Sequence, residues 1–250
     1  MWPRLGPVPT YGILYSISVI CHFLVCYFIA RRLKIRHRIW LMVGICYLVG
    51  MTVGAKALYD VHRMQFDLKS LFSMGHYMQG GLWGGLLAYI GLAVPVVLVL
   101  AKNTWRSLDL IGLSIPVPWI FVKVGCLFNG CCYGRKCSMP WAITFPKGAA
   151  GAPAGIPLHP TQIYEILVMV CILVVLKKLN YERWRGTMLL WFLALYGLGR
   201  AGTEFFRGDF DHHVYIGNFT FSQLICLAAA GVSIIILFLY RLHVHNTTLD

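Results

Sequence analysis

Seven long apolar segments occupy most of this 250-residue chain and limit its fold more than any other feature. A helix needs about 20 predominantly apolar residues to cross the hydrocarbon core of a bilayer. Hydrophobic residues make up 58% of the chain and charged residues only 12%. The segments are 11–30, 39–58, 81–101, 107–127, 160–178, 187–206 and 218–240. We predict an all-α polytopic membrane protein with seven transmembrane helices, forming a single integral membrane domain over residues 1–250.

The positions of the basic residues predict the topology of these helices. One group follows the first, third, fifth and seventh segments: Arg31, Arg32, Lys34, Arg36, Arg38, Lys102, Arg106, Lys177, Lys178, Arg183, Arg185 and Arg241. If the seven spans alternate, this group lies on one side of the membrane. The positive-inside rule then places the N-terminus outside and the C-terminus in the cytoplasm. The net charge of +13 therefore suits anionic lipid head groups, and we expect no nucleic-acid partner.

The stretch 124–135, at the end of the fourth span, combines glycines, an asparagine and clustered cysteines. Irregular backbone at membrane depth is tolerated only where protein buries it or where it lines a wet cavity. This stretch is therefore predicted to form part of a site. Its cysteines, with a fourth nearby, are Cys126, Cys131, Cys132 and Cys137. Their spacing lacks the C-x2-C pair typical of zinc sites, so we expect no metal, while an oxidising compartment would allow a disulfide.

Ionisable side chains inside the spans indicate where the site lies, because each costs roughly 2.5–3.5 kcal/mol at the centre of a span. Four candidates lie near the outer ends of the fourth, fifth and sixth spans: Lys123, Glu165, Arg200 and Glu204, with His159 and Gln162 shortly before Glu165. Lys56 ends the second span on the same side, and Asp109 lies near the inner end of the fourth. Tyr196, Arg200 and Glu204 are four residues apart and form one helical stripe. We predict a cation cluster in the outer third of the bilayer that binds a phospholipid phosphate. The alternative is that Arg200 and Glu204 only cancel each other's buried charge.

Six short motifs at the span ends complete the pattern. They are Tyr11-Gly12, Gly80-Gly81-Leu82, 124–130, Tyr133-Gly134-Arg135, His159-Pro160-Thr161-Gln162-Ile163-Tyr164-Glu165, and Gly199-Arg200 with Glu204-Phe205-Phe206-Arg207. Together they resemble the prolipoprotein diacylglyceryl transferase family over most of the chain. The resemblance implies a transferase of the bacterial cytoplasmic (inner) membrane that acts in lipoprotein biosynthesis. It also implies an active site near the outer leaflet.

The same resemblance implies the reaction and the roles of individual residues. Family members transfer the diacylglyceryl group of phosphatidylglycerol to the lipobox cysteine in the signal peptide of a prolipoprotein. A thioether forms, glycerol phosphate leaves, and no cofactor is required. Arg200 is expected on the lipid phosphate and Glu204 is expected to orient it. The remaining implied site residues shape or support the pocket: Asn129, Gly134, Tyr11, Tyr196, His159, Gln162, Gly80 and Gly81.

The sequence departs from the family pattern at several positions. Gln79 stands where members often carry a histidine, and an amide cannot accept a proton. The base is then His76, His159 or Glu204, or the positive field alone lowers the pKa of the thiol. Lys123 replaces a signature arginine, which keeps the charge but loses the two-pronged contact.

Two other functions fit some of these features. Cys131 also replaces a glutamate that is common in the best-known family members. The substitutions at Gln79, Lys123 and Cys131 are compatible with a paralogue that uses another acceptor, or that binds lipid without catalysis. A transporter would need polar residues along a full path across the membrane, whereas here they collect in the outer third. The oligomeric state is not predicted.

Overall fold

The structure, a computed structural model, describes residues 4–5, 8–57, 82–149, 151–209, 215–216 and 218–246. Eight α-helices occur within these ranges: α1 (Thr10–Arg32), α2 (His37–Val49), α3 (Leu82–Leu100), α4 (Thr104–Ser114), α5 (Pro116–Asn129), α6 (Thr161–Lys178), α7 (Met188–Glu204) and α8 (Phe221–Asn246). A π-helical turn at Gly50–Gly54 continues α2. Three antiparallel pairs of two-residue strands join the helices: β1 (Arg4–Leu5) with β2 (Val8–Pro9), β3 (Ile143–Thr144) with β4 (Pro157–Leu158), and β5 (Tyr215–Ile216) with β6 (Phe219–Thr220).

Four helical stretches of the described chain are long and apolar enough to cross a membrane. They are Thr10–Arg32, His37–Ala57, Thr104–Asn129 and Phe221–Leu242, and Gly84–Leu100 is a shorter apolar helix. This confirms a mostly helical membrane protein. The predicted count of seven spans and the orientation of the termini stay predictions.

Helix α1 shows how the bilayer reverses the usual polarity of a helix. Ser18 and His22 are fully buried, while Ile20, Leu24 and Phe28 are half or more exposed. A helix surrounded by lipid satisfies its polar groups inside the protein and turns apolar side chains outward. The exposed apolar face of α1 therefore indicates contact with acyl chains.

The fourth predicted span is built from two helices. Helix α4 ends at Ser114 and α5 begins at Pro116, whose ring removes the N–H that would continue the hydrogen-bond ladder. Ile115, between them, keeps right-handed helical dihedral angles. The span therefore continues across the break without a loop.

Glycines allow the helices to pack closely around α7. A Cβ at Gly112 of α4 would lie 2.6 Å from the backbone N and Cα of Leu189, and one at Gly197 would lie 2.5 Å from the carbonyl O of Cys226 in α8. Small residues permit such backbone approaches in membrane proteins. Helix α7 is thereby held against α4 and α8, while α5 packs against both α1 and α6. This arrangement brings the ends of α5, α6 and α7 together.

Candidate active site

Helix α5 ends in a glycine cap that directs the following chain back over the helix end. Gly130 has a φ of +78°, and its N–H donates to the carbonyl of Cys126 at 2.9 Å. Glycine adopts this left-handed conformation without the steric cost that a side chain adds. Asn129, the last residue of α5, is buried at this point. The cap fixes the start of the signature loop 130–135.

Backbone hydrogen bonds join this loop to the ends of α6 and α7. The N–H of Gly134 donates to the carbonyl of His159 at 2.9 Å, and the N–H of Arg135 donates to the carbonyl of Phe206 at 2.8 Å. A Cβ at Gly134 would lie 2.5 Å from the first of these carbonyl oxygens and 2.6 Å from the second. A side chain at Gly134 would therefore push the loop away from both helices.

Glu165 is the centre of a buried ion cluster below this loop. Its Oε1 accepts a hydrogen bond from Nζ of Lys123 at 2.8 Å. Nη1 of Arg207 and Nε of Arg200 lie 3.6 Å and 4.0 Å from the same oxygen. All four side chains are less than one-tenth exposed. Two helices, α5 and α7, and the segment after α7 thus bring three cations to a single carboxylate oxygen on α6.

Two further carboxylates complete the cluster. Arg200 pairs with Oε2 of Glu204, one helical turn away. The hydroxyl of Thr220 donates to Oε1 of Glu204 at 3.3 Å. Arg207 donates to Asp209 at 2.6 Å. The cluster therefore sets three cations against three carboxylates. Buried charges need such pairing, because a buried ion without a partner costs several kcal/mol.

The charge on Arg207 is secured by its surroundings. Burial alone disfavours the guanidinium ion, but Asp209, Cys132 and Glu165 outweigh that effect. The pKa of Arg207 therefore lies well above its usual range.

Some buried polar atoms of the site lack a hydrogen-bond partner in the part of the chain that the structure describes. They are Nδ2 of Asn129, Oε1 of Gln162, Oε2 of Glu165 and Nε of Arg207. Buried polar groups in proteins are nearly always hydrogen-bonded, so each of these needs an explanation. A polar ligand or water would supply the missing partners.

Aromatic rings form one wall of the cluster. Nζ of Lys123 lies 5.7 Å from the centroid of the Trp119 ring, within the range of a cation–π contact. Trp119 meets Tyr196 edge to face at 5.7 Å, and Tyr196 stacks on Phe192 at 5.5 Å. All three rings are buried. The cations therefore lie against an apolar wall, which strengthens their electrostatic interactions.

His159 and Gln162 lie at the start of α6. Nδ1 of His159 is 2.9 Å from the hydroxyl oxygen of Tyr164, which also accepts a hydrogen bond from the indole N–H of Trp141 at 2.8 Å. The side-chain amide of Gln162 donates to the carbonyl of Cys131 at 2.7 Å. Gln162 therefore holds the signature loop, whereas His159 packs against the rings of Tyr164 and Phe206.

Tyr11 reaches the site from α1. It is buried and packs with Val122 and the cysteines of the signature stretch. A Cβ at Gly125 would approach its ring carbon Cδ2 to 3.2 Å, so the glycine of α5 makes room for the tyrosine. The motif at the start of α1 thus lies beside the motif at the end of α5.

The structure brings together most of the residues that the sequence singles out. Lys123, Arg200 and Glu204 share one cluster, with Tyr196 on its wall. Four other predicted site residues lie outside the described residues: His76, Gln79, Gly80 and Gly81.

The sequence did not predict that Glu165 is the centre of the ion cluster, or that Arg207 belongs to this cluster. Glu165 carried a usable signal, since it is a carboxylate at membrane depth at the end of the His-Pro-Thr-Gln motif. Arg207 lies beyond the end of α7 and is predicted only as the last residue of a motif, yet its guanidinium turns back into the cluster.

Three thiols lie beside the cations. The Sγ atoms of Cys126, Cys131 and Cys132 are all within 4.8 Å of one another, and all three residues are buried. Hydrogen bonds from the other two thiols, together with the charges of Lys123 and Arg207, hold the pKa of the Cys132 thiol well below its usual range. The cation field of the site therefore extends to these sulfur atoms.

Comparison with known proteins identifies the family. A family model described as prolipoprotein diacylglyceryl transferase matches residues 4–239. The chain is 26% identical over 221 residues to the phosphatidylglycerol–prolipoprotein diacylglyceryl transferase of Campylobacter lari, covering 79% of this chain and 76% of the relative. It is 31% identical over 177 residues to the enzyme of that name from Clostridium tetani, covering 67% of this chain and 68% of the relative. A Clostridium perfringens relative, phosphatidylglycerol–prolipoprotein diacylglyceryl transferase 2, is 28% identical over 210 residues, covering 80% and 79%. Because the family model spans nearly the whole chain, this protein belongs to the prolipoprotein diacylglyceryl transferase family.

Proposed function

We propose that this protein transfers the diacylglyceryl group of phosphatidylglycerol to the lipobox cysteine of a prolipoprotein signal peptide. Family membership supports a transferase, and the names of the relatives supply the two substrates. The observation that carries the proposal is the buried cluster of Lys123, Arg200 and Arg207 around one oxygen of Glu165. Such a cluster suits an anionic head group and a developing negative charge.

The leaving group needs positive charge in a dry site. The sulfur of the substrate cysteine forms a C–S bond to the glyceryl carbon, while the C–O bond breaks and its electron pair stays on the phosphate oxygen. Glycerol phosphate leaves and the thiol proton passes to a base. Fixed cations in a water-poor site stabilise the charge that grows on that oxygen. Arg200, oriented by its pair with Glu204, is the assigned phosphate ligand.

The unsatisfied atoms of the site match the head group of phosphatidylglycerol. Nε of Arg207 is a donor without a partner in the described chain, and a phosphate oxygen accepts from it. Oε2 of Glu165 is an acceptor that likewise has no hydrogen-bond partner in the described chain, and a glycerol hydroxyl donates to it. A head group that carries both phosphate and hydroxyl groups satisfies both atoms.

The acceptor thiol must lose its proton to react. The proton acceptor is His159, Glu204 or His76, or the cation field lowers the pKa of the substrate thiol without a base. Single variants His159→Gln, Glu204→Gln and His76→Gln separate these routes, because loss of the base removes the rise of the rate with pH. A Gln79→His variant with higher activity would show that the glutamine limits the rate.

We also propose the membrane arrangement in which this reaction takes place. All seven apolar segments cross the inner membrane, with the N-terminus outside and the C-terminus in the cytoplasm. The basic ends of α1 and α6 (Arg31 and Arg32, Lys177 and Lys178) support this orientation. The ion cluster then lies near the outer leaflet and opens sideways to lipid, since both substrates are anchored in the membrane.

Expression in cells depleted of their own transferase tests the function. We expect the wild-type chain to add a lipid to a lipobox preprotein, seen as a mass increase on that cysteine. Arg200→Ala should abolish the modification while the protein still inserts normally. The exposed Arg183→Ala serves as the matched control and should retain activity. Full activity of Arg200→Ala would overturn the assignment of the phosphate ligand.

The same assay distinguishes a paralogue. A chain that binds phosphatidylglycerol through Arg200 but leaves the lipobox cysteine unmodified would act on another acceptor, or only bind lipid. The replacement of a signature arginine by Lys123 is the observation that keeps this alternative open.

A further inference from the structure

Three buried thiols at the end of α5 are not used in the transfer reaction proposed above. Cys126, Cys131 and Cys132 are free cysteines whose Sγ atoms lie within 4.8 Å of one another. Each is less than one-tenth exposed. The other six cysteines of the chain lie outside this group. One disulfide would use two of the three sulfur atoms, so a disulfide does not account for the convergence of all three.

The backbone is shaped to bring these sulfur atoms together. Cys126 lies on the last turn of α5, and the left-handed Gly130 reverses the chain after it. Cys132 then has a φ of +59°, one of two non-glycine residues with a positive φ in the described chain. A side chain in this region costs about 1–2 kcal/mol. Such a conformation persists where the surroundings require it, often at a functional site.

Two cations of the ion cluster interact with the trio. The charges of Lys123 and Arg207 act on the thiol of Cys132, and Lys123 also interacts with Cys126. Three thiolates carry a net charge of −1 around a divalent ion and −2 around a monovalent ion. Thiolates are the ligands that soft metal ions prefer.

We propose that Cys126, Cys131 and Cys132 bind one thiophilic d¹⁰ metal ion, of the class of Zn(II) or Cu(I). Each thiol gives up its proton to solvent and forms one sulfur–metal bond, and no atom changes its oxidation state. Among the described residues these three are the ligands that the chain supplies, and with them alone the ion is three-coordinate unless water or another small ligand is added.

The ion would fix the signature loop against α6. The carbonyl of Cys131 accepts from the side chain of Gln162 at 2.7 Å, and the carbonyl of Cys132 accepts from the hydroxyl of Thr161 at 2.5 Å. The two ligand residues of the loop are therefore also points at which the loop is attached to α6. A metal that ties their sulfur atoms to α5 would link α5, the loop and α6 at one place.

Titration of the reduced, full-length protein in detergent with Cd²⁺ tests the proposal. We expect ultraviolet sulfur-to-cadmium charge-transfer absorption that saturates at one Cd²⁺ per chain, and a rise in the melting temperature. Cys126→Ser, Cys131→Ser and Cys132→Ser should each weaken Cd²⁺ binding at least tenfold. Cys137→Ser, outside the trio, is the matched control and should bind like wild type.

X-ray absorption at the cadmium edge of the wild-type protein provides a second measurement if a serine variant fails to fold. Three sulfur ligands support the proposal, whereas two or fewer overturn it. Unchanged Cd²⁺ affinity in Cys132→Ser would also overturn it, as would a disulfide between two of these cysteines in protein isolated from membranes. Arg200→Ala should bind Cd²⁺ as the wild type does. The metal site and the transferase assignment can therefore be tested independently of each other.

Discussion

Replacement of Glu165 by glutamine tests whether this carboxylate holds the site together. Arg200 and Arg207 would keep Glu204 and Asp209 as partners, but Glu165 is the one ion-pair partner of Lys123 among the described residues. The variant thus leaves one buried cation unpaired rather than three. Breaking a buried pair by removing one partner costs about 3–5 kcal/mol, and we expect a loss of unfolding free energy in that range.

A second substitution should restore most of this loss. Glu165→Gln with Lys123→Met removes the unpaired cation, and a double-mutant cycle should give a coupling energy of about 2–3 kcal/mol. Reversible unfolding in mixed micelles, followed by tryptophan fluorescence, measures these values. The exposed Glu182→Gln is the matched control and should change stability by less than about 0.5 kcal/mol. A loss below about 1 kcal/mol in Glu165→Gln, or strictly additive effects in the double variant, would refute this account of the cluster.

Three further predictions follow from specific contacts. Gly134→Ala forces a Cβ to within 2.5–2.6 Å of two backbone oxygens, and overpacking should cost about 1–3 kcal/mol in thermal unfolding. Gly202→Ala, with nothing within 4 Å, should be tolerated, and equal effects of the two would contradict this reading. Asp109 accepts hydrogen bonds from Tyr181 and from the backbone N–H groups of Gly186 and Met188, so Asp109→Asn should lower stability by about 2 kcal/mol in denaturant unfolding. Lipid transfer per folded molecule should not change in that variant, and its selective loss would contradict a purely structural role. Tyr164→Phe removes the hydroxyl beside His159 and should cost about 1 kcal/mol, whereas unchanged stability would show that this hydrogen bond is not formed.

The sequence predicts the helices well because the bilayer imposes a simple rule. Long apolar runs mark the spans, and the predicted segment 11–30 lies within the observed helix Thr10–Arg32. The spacing of Tyr196, Arg200 and Glu204 predicts one stripe, since residues four apart share a helix face. The structure shows the pairing of the last two and the position of the tyrosine on the wall of the cluster. Both features depend on local periodicity, which is readable from a single chain.

The periodicity of the sequence does not predict contacts between different helices. Glu165 and Lys123 are 42 residues apart, and no periodicity relates α5 to α6. The return of Arg207 depends on the turn after α7, where its backbone pairs with Gly134 as an isolated bridge. The tertiary arrangement therefore decides which carboxylate becomes the centre of the cluster.

The geometry of Glu165 also bears on whether the cluster exists only to neutralise charge. Three cations against three carboxylates would satisfy a purely structural network. Such a network gains most when each oxygen of a carboxylate accepts hydrogen bonds, because an unused buried acceptor costs about 1–3 kcal/mol. Here the cations approach Oε1 of Glu165, while Oε2 and the Nε of Arg207 stay without hydrogen-bond partners in the described chain. Charge balance accounts for the composition of the cluster but not for these two atoms, which bound water or the phosphate and hydroxyl groups of the proposed lipid would satisfy.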